Sequence, residues 1–170
     1  MRRGYRQLVL DTNPLVGGIV TSVAASEEDL FDSIARTLNI IGDRWTMLIL
    51  RDVFRGLRRF EELRIELGVA RPVLSERLRK LVEAGVLKKV LYQDHPPRHE
   101  YKLTPMGVEL SPALVALMRW GDRWLVQDQS TTVLYHGPCG TEFEQAFWCQ
   151  ACGTTFGPLA IRSRAAAVPL

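Results

Sequence analysis

Two sets of residues have types and spacings suited to chemistry. Near the C-terminus, His136, Cys139, Cys149 and Cys152 follow the pattern His-x2-Cys-x9-Cys-x2-Cys, which takes in all three cysteines of the chain. Thiolate and imidazole donors two residues apart can bite one ion, and four of them suit tetrahedral zinc. Gly140 and Gly153 each follow a cysteine, where a knuckle backbone must turn tightly. So short a stretch cannot bury a core, so a metal would supply its folding energy. Four filled positions make the site closed, hence structural rather than catalytic. His136 is the weakest donor, and water or another side chain could replace it. A thiol switch and an iron–sulfur cluster are the competing chemistries, and zinc thiolates can also be oxidised. An odd number of cysteines in one tight cluster fits a disulfide framework poorly.

The second set is cationic. Between Leu30 and Thr104 there are 15 Lys/Arg against 10 Asp/Glu, a net of +5 in a chain whose total is +3. Both flanking segments carry a slight negative excess. A polyanion would therefore dock on the middle of the chain, although lysine and arginine also simply solvate helix faces. The candidate contacts are Arg58, Arg59, Arg71, Ser75, Arg77, Arg79, Lys80 and Arg98.

These cations need elements to hold them. From Arg58 to Leu67, Phe60, Leu63 and Leu67 recur at helical spacing, and Gly68-Val69-Ala70 forms a turn. A helix over Arg71 to Ala84 turns Leu74, Leu78, Leu81 and Val82 to one face, with Pro72 in its first turn. Val86 to Gln93 and His99 to Leu103 read as strands joined at Asp94-His95-Pro96-Pro97-Arg98. Helix, turn, helix and hairpin in that order predict a winged helix-turn-helix. The fold class is thus mainly α with a small β wing, followed by a small zinc-ribbon-like segment. The recognition helix enters a major groove by its N-terminal part, which favours Arg71 and Ser75 for base edges. Arg77, Arg79 and Lys80 are expected at phosphates or groove edges. Arg98 at the wing tip is expected in a minor groove or on phosphate, and Arg58 and Arg59 on backbone.

Two helices precede this unit. Ser26 is positioned to cap a first helix through Leu30, Ile34, Leu38 and Ile41, ended by Gly42. A second, from about Asp43, carries Trp45, Leu48, Ile49, Asp52, Val53 and Phe54, with Trp45 a core anchor. After the wing, Thr104-Pro105 starts one long helix with Leu110, Leu114, Leu117, Met118, Trp120, Gly121, Trp124 and Leu125. That stripe exceeds one small domain's need and predicts packing on a second copy. The expected boundaries are a flexible extension over 1–25, a winged and dimerising domain over 26–128, a zinc-ribbon-like segment over 129–160 and a mobile tail over 161–170. Leu8 to Ala25 is too interrupted to span a membrane or direct secretion, so a cytoplasmic protein is expected.

The stretch from Ser33 to Leu125 resembles the HxlR-type winged helix regulators of bacteria, relatives of the MarR group. The resemblance rests on SIARTLNIIGDRWTMLILRDVFRGLRRFEELRIELGVA, LSERLRKLVEAGVL, PPRHEYKLTPMGVEL and ALMRWGDRW. It implies a homodimeric transcription factor, joined through its first and last helices and acting at promoter DNA. One branch of that family ends in a Cys-rich segment, which His136 to Gly153 resembles. Asp32 stands where many members carry a sensing cysteine, and Ala70 where a capping serine is common. No Gly-rich phosphate loop or paired-carboxylate motif suggests an enzyme. A small-molecule effector, a protein-interaction role for the winged module and a zinc/thiol redox response are the further expectations.

Overall fold

In the computed structural model, the structure describes residues 32–126 and 132–162. The expected extension over 1–25, the Ser26 cap, Leu30, most of the Asp128 to Thr132 linker and nearly all of the 161–170 tail lie outside these residues. Helix α1 (Ser33–Ile41) starts at Asp32, whose carboxylate accepts from the backbone N–H groups of Ile34 (2.7 Å) and Ala35 (3.3 Å). Helix α2 (Arg44–Phe54) is capped by Asp43, which accepts from the amides of Trp45 (3.0 Å) and Thr46 (3.2 Å). Each carboxylate satisfies amides that the first helical turn leaves without a partner.

The core is built around α2. Its Ile49, Leu50 and Val53 meet Leu63 of α3 (Phe60–Leu67) and Leu74, Leu78 and Leu81 of α4 (Arg71–Glu83). Val69, in the turn between α3 and α4, and Val86 and Leu87, at the entry to the wing, close it. The leucines of α4 recur at three- and four-residue steps, so one face is fully buried while the rest of the helix stays outside. Gly68 takes φ +60° where α3 ends.

Two polar side chains, Thr46 and Asp52, are also buried on α2, and Asp52 is the charged one. Its side chain is fully buried, yet it accepts from Arg51 through two bonds (2.8 and 3.0 Å) and from Arg55 (3.2 Å). Arg55 continues to Glu66 at 3.2 Å, joining α2 to α3. Burial of a carboxylate is tolerated because two guanidiniums satisfy it. The hydrogen bond to Asp52 in turn raises the Arg51 pKa.

The wing is the antiparallel pair β1 (Leu87–Gln93) and β2 (Arg98–Leu103), with Leu87 opposite Leu103 and Lys89 opposite Tyr101. Its register slips between Leu91 and Gln93. A third, short extended piece lies beside β2: Arg59 bridges Glu100, and the Tyr101 amide donates to Arg58 carbonyl oxygen at 2.7 Å. The sequence expectation placed Arg58 and Arg59 inside the third helix. They are instead strand-like, because their backbone polar groups find partners on β2.

The single long helix expected after the wing is also corrected. It is two: α5 (Pro105–Val108) and α6 (Ser111–Trp124), separated at Glu109–Leu110. Pro112 has no amide hydrogen to continue the ladder back to Val108. α5 is locked to the wing base by Thr104, whose hydroxyl donates to Gly85 carbonyl at 2.6 Å and accepts from the Gly107 amide at 3.2 Å. A Cβ on Gly107 would meet the Val86 carbonyl oxygen at 2.3 Å, so only glycine fits this approach. The C-terminal part holds the short hairpin β3 (Phe147–Cys149) and β4 (Thr154–Phe156), then a 3₁₀ turn at Pro158–Ala160.

Candidate nucleic-acid interface and Cys/His ribbon

Helix α4 presents Arg71 at its first turn and Ser75 one turn later, both exposed. Ser75 and Arg79 share a cleft of about 410 Å³ with Lys89 and Tyr101 of the wing, floored by Leu78 and Val82. Recognition helix and wing thus line one concave surface. Arg71 lies over the Phe60 ring (5.7 Å) and pairs with Glu61 at 2.6 Å. Arg64 and Arg71 together hold the Glu61 carboxyl below its usual range, the Arg64 hydrogen bond first. Burial pushes the Tyr101 phenol up.

The other cations divide. Arg98 is exposed at the start of β2, opposite Gln93, and forms no ion pair among the described residues. Arg58 is likewise exposed and unpaired among them. Arg59 lies over the Tyr92 ring (4.9 Å), with Glu62 at 3.7 Å. Arg79 and Lys80 are exposed on α4 and engaged with carboxylates of their own helix. Arg77 differs from expectation. It is half-buried, and its Nε stands 3.2 Å from Asp43 at the start of α2. Its place on the wheel, next to the leucine face, turns it inward beside α2, where its Nε is buried within ion-pair distance of Asp43 but makes no hydrogen bond among the described residues.

Sequence reasoning missed Lys88 and Lys89 of β1, exposed and without an ion pair among the described residues. Their signal was present: two consecutive lysines in a strand put one cation on each face of the wing. Lys102, opposite Lys88, pairs with Glu100 at 2.5 Å and holds that carboxyl low.

In the ribbon, the two donor pairs occupy similar turns. The Gly140 amide donates to His136 carbonyl at 2.8 Å, and the Gly153 amide to Cys149 carbonyl at 2.9 Å. Gly140 and Gly153 take φ +69° and +64°, a left-handed conformation that glycine adopts without a Cβ penalty. His136 Nδ1 lies 3.2 Å from Cys139 Sγ. Hydrogen bonds from Thr141 lower the Cys139 pKa, and bonds from Cys152 and Ala151 lower that of Cys149. Each pair therefore suits one half of a zinc site. Among the described residues, however, no three His, Cys, Asp or Glu side chains stand together as a metal cage. The pairs are formed, but they are not gathered into one four-donor site. The segment between them rests on α6: Gln145 donates to Pro112 carbonyl at 2.9 Å, and Arg119 donates to Phe143 carbonyl and lies over its ring (5.6 Å).

An exposed helix start beside a cationic two-stranded wing, both set on one leucine core, defines a winged helix-turn-helix protein. Comparison with known proteins gives the family. Residues 40–129 match the model of the HxlR-like helix-turn-helix family, and the chain belongs to it. An uncharacterized HTH-type transcriptional regulator of Mycobacterium tuberculosis is 46% identical over 123 residues, 72% of this chain and 78% of that protein. Another, from Synechocystis, is 35% identical over 105 residues, 61% of this chain and 78% of the relative. Among solved structures, PA1607, a candidate transcription factor, aligns with TM-score 0.70 and 36% identity over 79% of this chain and 94% of its own. The oxidised redox regulator HypR aligns with TM-score 0.51 and 30% identity over 54% of this chain and 96% of its own. The chain is a DNA-binding transcriptional regulator of this family. No helix among the described residues is long and apolar enough to cross a membrane.

Proposed function

We propose that the protein acts as a homodimer at promoter DNA in the cytoplasm, reading sequence with α4 and gripping backbone with the wing. The observation that carries this reading is the shared cleft in which Ser75 of α4 faces Lys89 and Tyr101 of the wing. Ser75 in this cleft and Arg71 one turn earlier on α4 meet base edges in the major groove, since the N-terminal part of a recognition helix goes deepest. Arg98, Arg58, Lys88 and Lys89 attract phosphate or enter the neighbouring minor groove. Arg59 supports the wing through its contact with the Tyr92 ring.

The dimer is supported by α6. Leu110 and Leu114 pack on the core, whereas Leu117, Trp120, Trp124 and Leu125 remain 56–69% exposed. An apolar face of that size is costly in water and is covered when two copies meet. A monomer at micromolar concentration in sedimentation equilibrium would sink this part. The ribbon completes a zinc site when its two half-sites close on one ion, with His136, Cys139, Cys149 and Cys152 as ligands. That ion supplies structure, and a small-molecule effector is the remaining partner to be sought.

The test is fluorescence anisotropy with the protein's own upstream DNA and a scrambled duplex, each titrated with salt. Arg98→Ala is expected to weaken binding to both duplexes and flatten the slope of log K against log salt by about 0.9 for each protomer that docks. Unchanged affinity and slope would remove Arg98 from the interface.

A further inference from the structure

Arg79 and Lys80 of α4 are in a different electrostatic state from Lys88, Lys89 and Arg98 of the wing. Glu76 accepts from Arg79 Nε (3.0 Å) and Nη2 (2.8 Å), and Glu83 accepts from Nη1 through both oxygens at 2.6 Å. Every nitrogen of that guanidinium is occupied. Lys80 Nζ stands 3.6 Å from the same Glu76. Two cations and two carboxylates sum to zero charge along the outer face of the recognition helix. The four side chains are 45–59% exposed, so the pairs are not buried supports of the fold. Arg79 draws the Glu76 carboxyl below its usual range through their hydrogen bonds. On the wing, Lys88, Lys89 and Arg98 have no such partner among the described residues.

Attraction to DNA of any sequence scales with the phosphates that free cations neutralise. A neutral cluster adds nothing to it, and its carboxylates repel phosphate wherever the helix approaches backbone. Exposed pairs within a helix are weak, so a well-fitting site can break them while a poor one cannot. Discrimination is a ratio of two affinities, and it grows when the sequence-independent one is held down.

We propose that Glu76 and Glu83 are specificity-determining residues of the DNA interface. They hold Arg79 and Lys80 to the helix itself, so the wing supplies most of the sequence-independent grip and α4 is left to read bases. This inference rests on the DNA-binding reading above and deepens it.

The full chain is used for the test, with Glu76→Gln, Glu83→Gln and the double variant. Anisotropy is measured across a salt series on two duplexes of equal length. One is the tightest sequence the wild type selects from a random library, the other its scrambled form. The double variant is expected to bind the scrambled duplex about tenfold tighter, with a salt slope steeper by about one to two. Affinity for the selected duplex rises less, so the ratio falls. Unchanged scrambled affinity and slope in a folded variant would overturn the proposal. A selective loss of binding to the selected duplex would also overturn it, by making the glutamates base readers. Should Glu76→Gln fail to fold, Glu83→Gln alone frees Arg79 Nη1 and removes one carboxylate, and it is expected to tighten scrambled-duplex binding by a smaller factor of the same sign; no change there would overturn the proposal. A wild type with no salt-sensitive binding to any duplex would overturn the DNA-binding reading itself, a result distinct from the other two.

Discussion

The winged unit and the Cys/His ribbon are held together by different means. From α2 to the wing, Ile49, Leu50, Leu63, Leu74, Leu78 and Leu81 have no exposed surface at all. From Thr132 to Arg162 no residue is buried; Trp148 is 59% exposed, Phe147 48% and Tyr135 61%. The hairpin β3–β4 has three residues a side and one ring stack, Phe147 on Phe156 at 5.9 Å between centroids. An isolated two-stranded hairpin is marginal in water. The first region is therefore stabilised by removing apolar surface from water, and the second lacks any comparable source within itself. That contrast is why the two donor pairs matter: a zinc–thiolate site would do for the ribbon what the leucines do for the wing.

Each region can be perturbed on its own. The largest effect is expected from Leu78→Ala, which opens a cavity at the centre of α4's buried face. It should cost roughly 3–4 kcal/mol in urea unfolding. A loss under about 1 kcal/mol would mean that the core is not where the winged unit's stability lies. Arg77→Ala comes next. It removes the tie between α4 and Asp43 and is expected to cost about 1 kcal/mol, within the range of partly exposed ion pairs. Its salt slope on DNA should match the wild type, in contrast to Arg98→Ala. A flattened slope would return Arg77 to the list of phosphate contacts. The smallest effect on the winged unit is expected from Cys149→Ser, which should change its stability by less than about 0.5 kcal/mol while bound zinc falls from one per chain to none. Full zinc retention by mass spectrometry would refute the ligand set. A large fall in the melting temperature of the winged unit would show that the regions are not independent.

Much of the winged unit was legible from the chain alone. The turn at Gly68, the leucine spacing of α4, the two strands around Pro96-Pro97 and the cap at Thr104 all stand where their local chemistry put them. These features depend on neighbours within a few residues, which periodicity and turn residues report. The knuckle turns were legible for the same reason: a glycine after each second donor has only its own backbone to satisfy. The spacing along α2 places Asp52 on a mostly apolar face with Trp45, Leu48, Ile49, Val53 and Phe54. What could not be read was that two arginines neutralise that carboxylate.

Element order, the leucine face of α4 and the spacing of the histidine and cysteines follow from composition and period, because helices and strands are organised at short range. Only the tertiary structure decides where each charged side chain ends. Arg58 and Arg59 lie extended beside β2, through one backbone hydrogen bond and an isolated bridge. Arg77 turns to Asp43 on another helix. Arg79 has carboxylates at i−3 and i+4, and its rotamer chooses both at once. The break before α6 lies at Glu109–Leu110, between a glycine locked against Val86 and a proline. Long side chains carry several possible partners in any sequence, and which one they meet is set by the packing of elements far apart in the chain.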